Sequence, residues 1–115
     1  MEPLFEILFL EDAFNFLNGL DRKHNEKILY NMRKARLEVN SELFKKLTGE
    51  IWEFRTLYEG AHYRLLAFWD KTAQTNTLVV ATHGFVKKKS KVPAVEIERA
   101  MKLRANYYKD KEIRR

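Results

Sequence analysis

The sequence contains no cysteine, and it has only two prolines and four glycines among its 115 residues. The absence of cysteine excludes disulfide bonds and zinc sites with thiolate ligands, and it is typical of a protein from a reducing compartment. With so few prolines and glycines, no segment resembles an interdomain linker. A chain of this length usually forms one domain, and we therefore predict a single domain over residues 1–115.

Long apolar runs are also absent, although 45% of the residues are hydrophobic. No run approaches the roughly 20 apolar residues that a membrane-spanning helix requires. The N-terminal stretch is acidic and lacks the basic start of a secretory signal peptide. Together, these absences lead us to expect a soluble cytoplasmic domain without a membrane partner.

Positive charge is what the chain has in excess, with 22 Lys or Arg residues against 16 Asp or Glu residues. The excess lies in residues 84–115, which carry eleven basic and four acidic side chains, whereas residues 1–30 are acidic overall. The sharpest basic run consists of Lys87, Lys88, Lys89 and Lys91. Such a run is either a solvated segment or a surface that binds a polyanion such as nucleic acid.

Hydrophobic periodicity predicts an α+β fold with the element order β-α-α-β-β-β-α. The apolar run over residues 4–10 is read as the first strand, although periodicity alone does not exclude a helix there. Two helices should follow, the first from Glu11 and the second capped by Asp21, and pack as a hairpin on one face of the sheet. A C-terminal helix should begin at Pro93. Separate helices followed by adjacent strands favour a mostly antiparallel sheet, here of four strands.

The three later strands are predicted over residues 51–58, 61–69 and 77–83, with a polar loop over residues 70–76. Between the first two of these strands, Glu59-Gly60 is a plausible two-residue hairpin turn. This turn fixes the register of the hairpin, because a slip of one residue would move every side chain to the other face.

In this register Arg55 lies directly opposite Arg64, and like charges in that position destabilise an isolated sheet. A phosphate group bound between them would reverse the effect, because arginine binds phosphate through two parallel hydrogen bonds. Glu53 lies on the same face and provides the alternative, in which it neutralises the arginines on a solvated face. Both interpretations stay open on the sequence alone.

Further candidates lie at the end of the last predicted strand and in the segment after it. His83 could act as a general acid or base because imidazole titrates near neutral pH, although a lone histidine at a strand end can also be structural. Phe85 either stacks on a nucleobase or packs into the core.

Lys45 and Lys46 should lie in the link between the helices and the sheet, solvated or in contact with RNA. The three histidines are scattered without carboxylates at ligand spacing, so we expect neither a metal site nor a cofactor.

Three sequence stretches carry a family resemblance, namely KKLTGEIWEFR, HYRLLAFWD and THGFVKKKSKVPAVEIERA. In this order they closely resemble the phage-derived, HigB-like branch of the RelE/ParE toxin superfamily. The resemblance extends from Lys45 to Tyr108, and the β-α-α-β-β-β-α order inferred from periodicity agrees with that fold.

The resemblance implies the toxin of a type II toxin–antitoxin system. Such toxins are usually ribosome-dependent mRNA endoribonucleases (mRNA interferases), and the antitoxin in this branch is usually a helix-turn-helix DNA-binding protein. The partners implied are therefore mRNA, the ribosome and a cognate antitoxin. Two alternatives remain, a ParE-like poison of DNA gyrase and a non-catalytic basic RNA-binding module.

Carried over onto this sequence, the resemblance implies a metal-independent catalytic set. Its members are Arg55, Arg64, His83, Lys87 and Lys88. Positive charge and one aromatic ring then provide the expected RNA-binding residues. These are Lys45, Lys46, Phe85, Lys89 and Lys91.

Overall fold

The computed structural model describes residues 2–72 and 77–113. The elements are β1 (Glu6–Phe9), α1 (Glu11–Asn18), α2 (Arg22–Leu37), β2 (Phe44–Thr48), β3 (Ile51–Tyr58), β4 (Ala61–Asp70), β5 (Leu78–Lys87) and α3 (Ala94–Ile113). The predicted α+β class is confirmed, whereas most of the predicted loop over 70–76 lies outside the described residues. Within the described ranges, no helix has the length and apolar character needed to cross a membrane.

The described residues form one five-stranded sheet with the strand order β1-β5-β4-β3-β2. β1 and β5 are parallel, and the other neighbouring strands are antiparallel. The predicted number of four strands is wrong, because Phe44–Thr48 forms an edge strand against β3 rather than a link. This strand is short, carries adjacent lysines at Lys45 and Lys46, and has an irregular register at its end, so its periodicity is weak.

The helical hairpin of α1 and α2 covers one face of the sheet, as predicted. Ile28, Met32 and Ala35 recur at helical spacing on α2 and are buried against the sheet. On the strands, Phe54 and Leu65 face these helices and belong to the same buried cluster. The pairing of apolar helix and sheet faces therefore explains the main core of the molecule.

The opposite face of the sheet packs against the C-terminal helix α3. Its smaller buried cluster contains Ile51, Leu66 and Ala100, with Phe85 packed against it. Because α3 covers only part of this face, the neighbouring part stays open, and the candidate site lies there.

Asp70 anchors the far end of α3 to the end of β4. The Tyr107 hydroxyl donates a hydrogen bond to the buried Asp70 carboxylate at 2.6 Å, and Lys111 Nζ donates another at 2.7 Å. Burial alone would raise the pKa of Asp70, but the hydrogen bonds from Lys111, Thr72 and Tyr107 hold it well below its usual value. The carboxylate is therefore charged, and it fixes the helix to the sheet.

β5 is longer than the predicted strand over residues 77–83, since it continues through Lys87. The predicted end of the last strand at residue 83 is therefore wrong, and the strand structure continues to Lys87. Gly84 occupies an interior strand position because Phe16 of α1 lies on its backbone, and a Cβ atom there would overlap the phenyl ring. The glycine thus marks a close contact between helix and strand rather than the end of the strand.

Candidate functional site

The hairpin of β3 and β4 has the register that the sequence predicts. Tyr58 pairs with Ala61, and Arg55 lies opposite Arg64. Glu59 and Gly60 adopt positive φ angles of 48° and 81°. Positive φ at both central positions is the signature of the tight turns that join antiparallel strands with their natural twist. The turn therefore places the two arginines side by side on the sheet face that α3 leaves open.

Glu53 lies between these two arginines. Its Oε1 atom is 2.8 Å from Arg64 Nε and 3.9 Å from Arg55 Nε. The side chains of Glu53 and Arg64 are only 5% and 4% exposed, whereas that of Arg55 is 29% exposed. Glu53 therefore neutralises Arg64, as one of the two alternatives predicts. The ion pair between them is buried, however, and not on a solvated face. Arg55 is the guanidinium that a ligand reaches more easily.

The surroundings of Arg64 show that positive charge is crowded here. The pKa of Arg64 is lowered, first because burial removes the guanidinium from water and also because the charge of Arg55 repels it. Glu53 acts in the opposite direction. Its carboxylate is shared by two guanidinium groups, so an additional anion beside Arg55 would interact favourably with both.

A groove of about 420 Å³ opens around this arginine pair. Its walls come from β2, β3, β4, the end of β5 and the segment leading into α3. Among the described residues, six cationic side chains line it, against one carboxylate, that of Glu53. They are Lys45, Lys46, Arg55, Arg64, Lys87 and Lys91. This excess of positive charge in a concave surface favours the binding of a polyanion.

The fold brings together most of the predicted catalytic and RNA-binding residues, but not all of them. Lys88 and Lys89 follow the end of β5 as exposed residues and are not among those that line the groove. Phe85 is half-buried, packs against the smaller core and stacks on His83 at a centroid distance of 5.9 Å. The structure therefore favours the core interpretation of Phe85, and its contact with RNA stays a prediction.

His83 is fully buried and does not line the groove. Its Nε2 atom lies 3.0 Å from Glu96 Oε1, and its Nδ1 atom lies 3.0 Å from the hydroxyl oxygen of Thr82. Burial lowers the pKa of the imidazole, although Glu96 opposes the shift. These contacts connect β5 to α3, and a catalytic role for His83 stays a prediction.

Sequence reasoning missed Glu96 as the partner of His83. Glu96 lies in the first turn of α3, and only the docking of that helix on the sheet brings its carboxylate to β5. No local spacing between the two residues signals the contact. A buried histidine needs a polar partner, and that general requirement was the one available signal.

Comparison with known families gives a match to the family described as "Phage derived protein Gp49-like (DUF891)", over residues 15–105. A comparison with curated protein sequences gave no match. The matched region contains both arginines, the lysines of the groove and most of the fold. The family consists of RelE/HigB-like toxins, which implies a cognate antitoxin as a partner. Since the match covers most of the sequence, this chain belongs to the Gp49-like family of phage-derived proteins, a family of toxin–antitoxin toxins.

Proposed function

We propose that the protein is the toxin of a type II toxin–antitoxin system and that it cleaves mRNA on the ribosome. The observation that carries the proposal is the cationic groove, in which two paired arginines share one buried carboxylate. RNA is the polyanion in question, since toxins of this superfamily are often endoribonucleases. The expected site of action is accordingly the cytoplasm.

The proposed reaction needs no external nucleophile. The 2′-OH of a ribose attacks the adjacent phosphorus, the bond to the following 5′ oxygen breaks, and the products are a cyclic phosphate and a free 5′-OH. The crowded phosphate carries extra negative charge in the transition state, and fixed cations stabilise it. The proposal assigns the phosphate oxygens to Arg55 and Arg64, of which Arg55 is the more exposed. A groove with this many cations would repel a divalent metal ion, which favours a metal-independent reaction.

Proton transfer is assigned first to Lys87. Its side chain lines the groove on the same sheet face as Arg64, because Lys87 pairs with His62 in the strand register, two residues along from Arg64. A lysine amine that reaches the reacting groups can exchange a proton with them in the transition state. Lys88 and His83 are the second candidates, since neither lines the groove.

The remaining lysines are assigned to substrate binding. Lys45, Lys46 and Lys91 line the groove, and Lys89 adds charge beside it. Contacts of this type neutralise phosphates and release counterions, so RNA affinity should fall steeply with salt. An antitoxin could inhibit the protein by covering the same surface with acidic residues, and we expect it to be a helix-turn-helix DNA-binding protein.

The test is induced expression of the wild type, Arg55→Ala and the control Arg33→Ala in bacterial cells. Arg33 is an exposed arginine on α2, on the sheet face away from the groove. We expect growth arrest and cleaved mRNA with new 5′-OH ends for the wild type and for Arg33→Ala. The Arg55→Ala variant should cleave mRNA about 100-fold more slowly than the wild type, because it lacks one contact to the transition state.

Three outcomes would contradict the proposal. Equal growth of induced and uninduced wild-type cultures would overturn the toxic activity in this host. Arrest with intact mRNA and altered DNA supercoiling would instead support a poison of DNA gyrase. RNA binding without cleavage, even on translating ribosomes, would support a non-catalytic binding module.

A further inference from the structure

A second cavity, of about 580 Å³, adjoins the cationic groove at the edge of the sheet. It is lined by Lys46, Gly49, Glu50, Trp52, Trp69 and Lys71. Lys46 lines both this cavity and the groove, so the two spaces meet at the edge strand β2. The groove lies on the α3 face and the tryptophans lie on the face of the helical hairpin, so a strand of RNA leaving the groove past Lys46 would pass around the edge strand β2 to reach this second cavity.

Two tryptophan rings form a corner in the cavity. The centroids of Trp52 and Trp69 are 5.9 Å apart, and their planes meet at 79°. Trp52 is stacked on Phe44 at 5.0 Å, and Trp69 packs edge-on against Phe5 at 5.3 Å. These contacts hold both rings in place, while each tryptophan keeps part of its surface exposed. A rigid aromatic corner is suited to a flat ring, since stacking then costs little side-chain entropy.

The charged groups around the corner favour a nucleobase over a second phosphate. Lys46 and Lys71 supply positive charge at its rim. Glu50 also lines the cavity, and its carboxylate lies 3.6 Å from Lys71 Nζ. A carboxylate repels a phosphate but accepts hydrogen bonds from the amino groups of a base. The cavity therefore combines stacking, a hydrogen-bond acceptor and cations for the flanking phosphates.

We propose that the cavity between Trp52 and Trp69 binds a nucleobase of single-stranded RNA that continues from the groove around Lys46. This inference rests on the proposed RNA substrate and adds a binding subsite to it. Base stacking on aromatic side chains is tolerant of sequence, because every base has an aromatic face. The subsite should hold the substrate in place and take no part in the chemical step.

The chain itself provides a reporter for this site. Its two tryptophans are Trp52 and Trp69, so all of its tryptophan fluorescence comes from the cavity. The probes are a short oligoriboadenylate and inorganic polyphosphate of similar charge. We expect the oligonucleotide to quench the fluorescence, whereas polyphosphate should bind the groove without quenching. Equal quenching by both probes would overturn the proposal, because it would show a response to charge alone.

Matched lysine variants test the rim of the cavity. Lys71→Ala removes an exposed lysine 3.6 Å from Glu50, and the control Lys34→Ala removes an exposed lysine 4.0 Å from Glu38 on α2. We expect Lys71→Ala to weaken oligonucleotide binding about threefold at low salt, with Lys34→Ala unchanged. In RNA cleavage, Lys71→Ala should raise KM and leave kcat unaltered. A Lys71→Ala variant that binds like Lys34→Ala would contradict the proposal.

Stacking is tested by Trp69→Leu, with binding followed through fluorescence anisotropy of labelled RNA and folding checked by circular dichroism. We expect about tenfold weaker binding, the size of a lost base–aromatic contact. Arg55→Ala separates this inference from the proposed function, since it should reduce cleavage about 100-fold yet keep the quenching. Cleavage by the wild type without any quenching would overturn the subsite alone. Quenching by a co-produced antitoxin but not by RNA would assign the corner to protein binding and overturn the subsite as well.

Discussion

Replacement of Arg64 by alanine tests the buried ion pair at the base of the groove. The change would leave the Glu53 carboxylate, whose side chain is only 5% exposed, without the cation that lies 2.8 Å away. Removing one partner of a buried ion pair typically costs about 3–5 kcal/mol. Arg55 lies 3.9 Å from the same carboxylate oxygen and compensates in part. We therefore expect the free energy of unfolding to fall by about 3 kcal/mol, near the lower end of that range.

Urea denaturation at pH 7 measures this loss, and a thermal melt should show a decrease of about 12 °C in Tm. The control is Arg99→Ala, which removes an ion pair with Asp12 whose side chains are 50% and 40% exposed. An exposed pair of this kind should contribute less than about 1 kcal/mol. The double variant Glu53→Gln, Arg64→Ala has no unpaired carboxylate at this buried position and should recover part of the stability. If Arg64→Ala unfolds within about 0.5 kcal/mol of the wild type, the buried pair does not stabilise the fold as argued.

Three further predictions concern other parts of the molecule. Gly84→Ala should lower the free energy of unfolding by about 2 kcal/mol in urea titrations, because its Cβ atom would overlap the Phe16 ring, and the second change Phe16→Leu should recover part of this loss. Burial holds the pKa of His83 in the folded protein below 6.5, the ordinary value. The unfolded chain therefore binds protons more readily, and the free energy of unfolding should fall as the pH is lowered from about 7 to 5. His83→Gln should show a flatter pH profile in the same denaturation experiment. Lys87→Ala should reduce the slope of log affinity against log salt by about 0.7 in RNA titrations, the value for one lost phosphate contact on a single strand, and an unchanged slope would place Lys87 away from the RNA.

The arginine pair could be predicted from the sequence because its position depends on local information. The Glu59-Gly60 turn fixes the hairpin register, and the register alone places Arg55 opposite Arg64. The partial burial of that pair could not be predicted. It depends on how far α3 extends over the sheet, which is a packing property of distant residues.

The two errors in the strand assignments have physical causes. β2 is an edge strand, and lysines at an edge are compatible with strand structure because they face solvent and discourage further pairing. The predicted strand ends before the observed end of β5. A glycine within a strand pattern usually signals an interruption, whereas Gly84 accommodates the ring of Phe16. In both cases contacts with distant parts of the chain determine the local structure, and a local sequence pattern does not contain that information.

The parallel pairing of β1 with β5 has a consequence for biosynthesis. β1 pairs with residues 78–81, so the first strand finds its neighbour only after some seventy more residues have been synthesised. Contacts of such long sequence separation slow folding, because the intervening chain must be ordered first. During translation, β1 and β4 therefore lack their shared neighbour β5 until most of the chain has emerged. A nascent chain of this design completes its groove only after β5 and the segment leading into α3 have emerged.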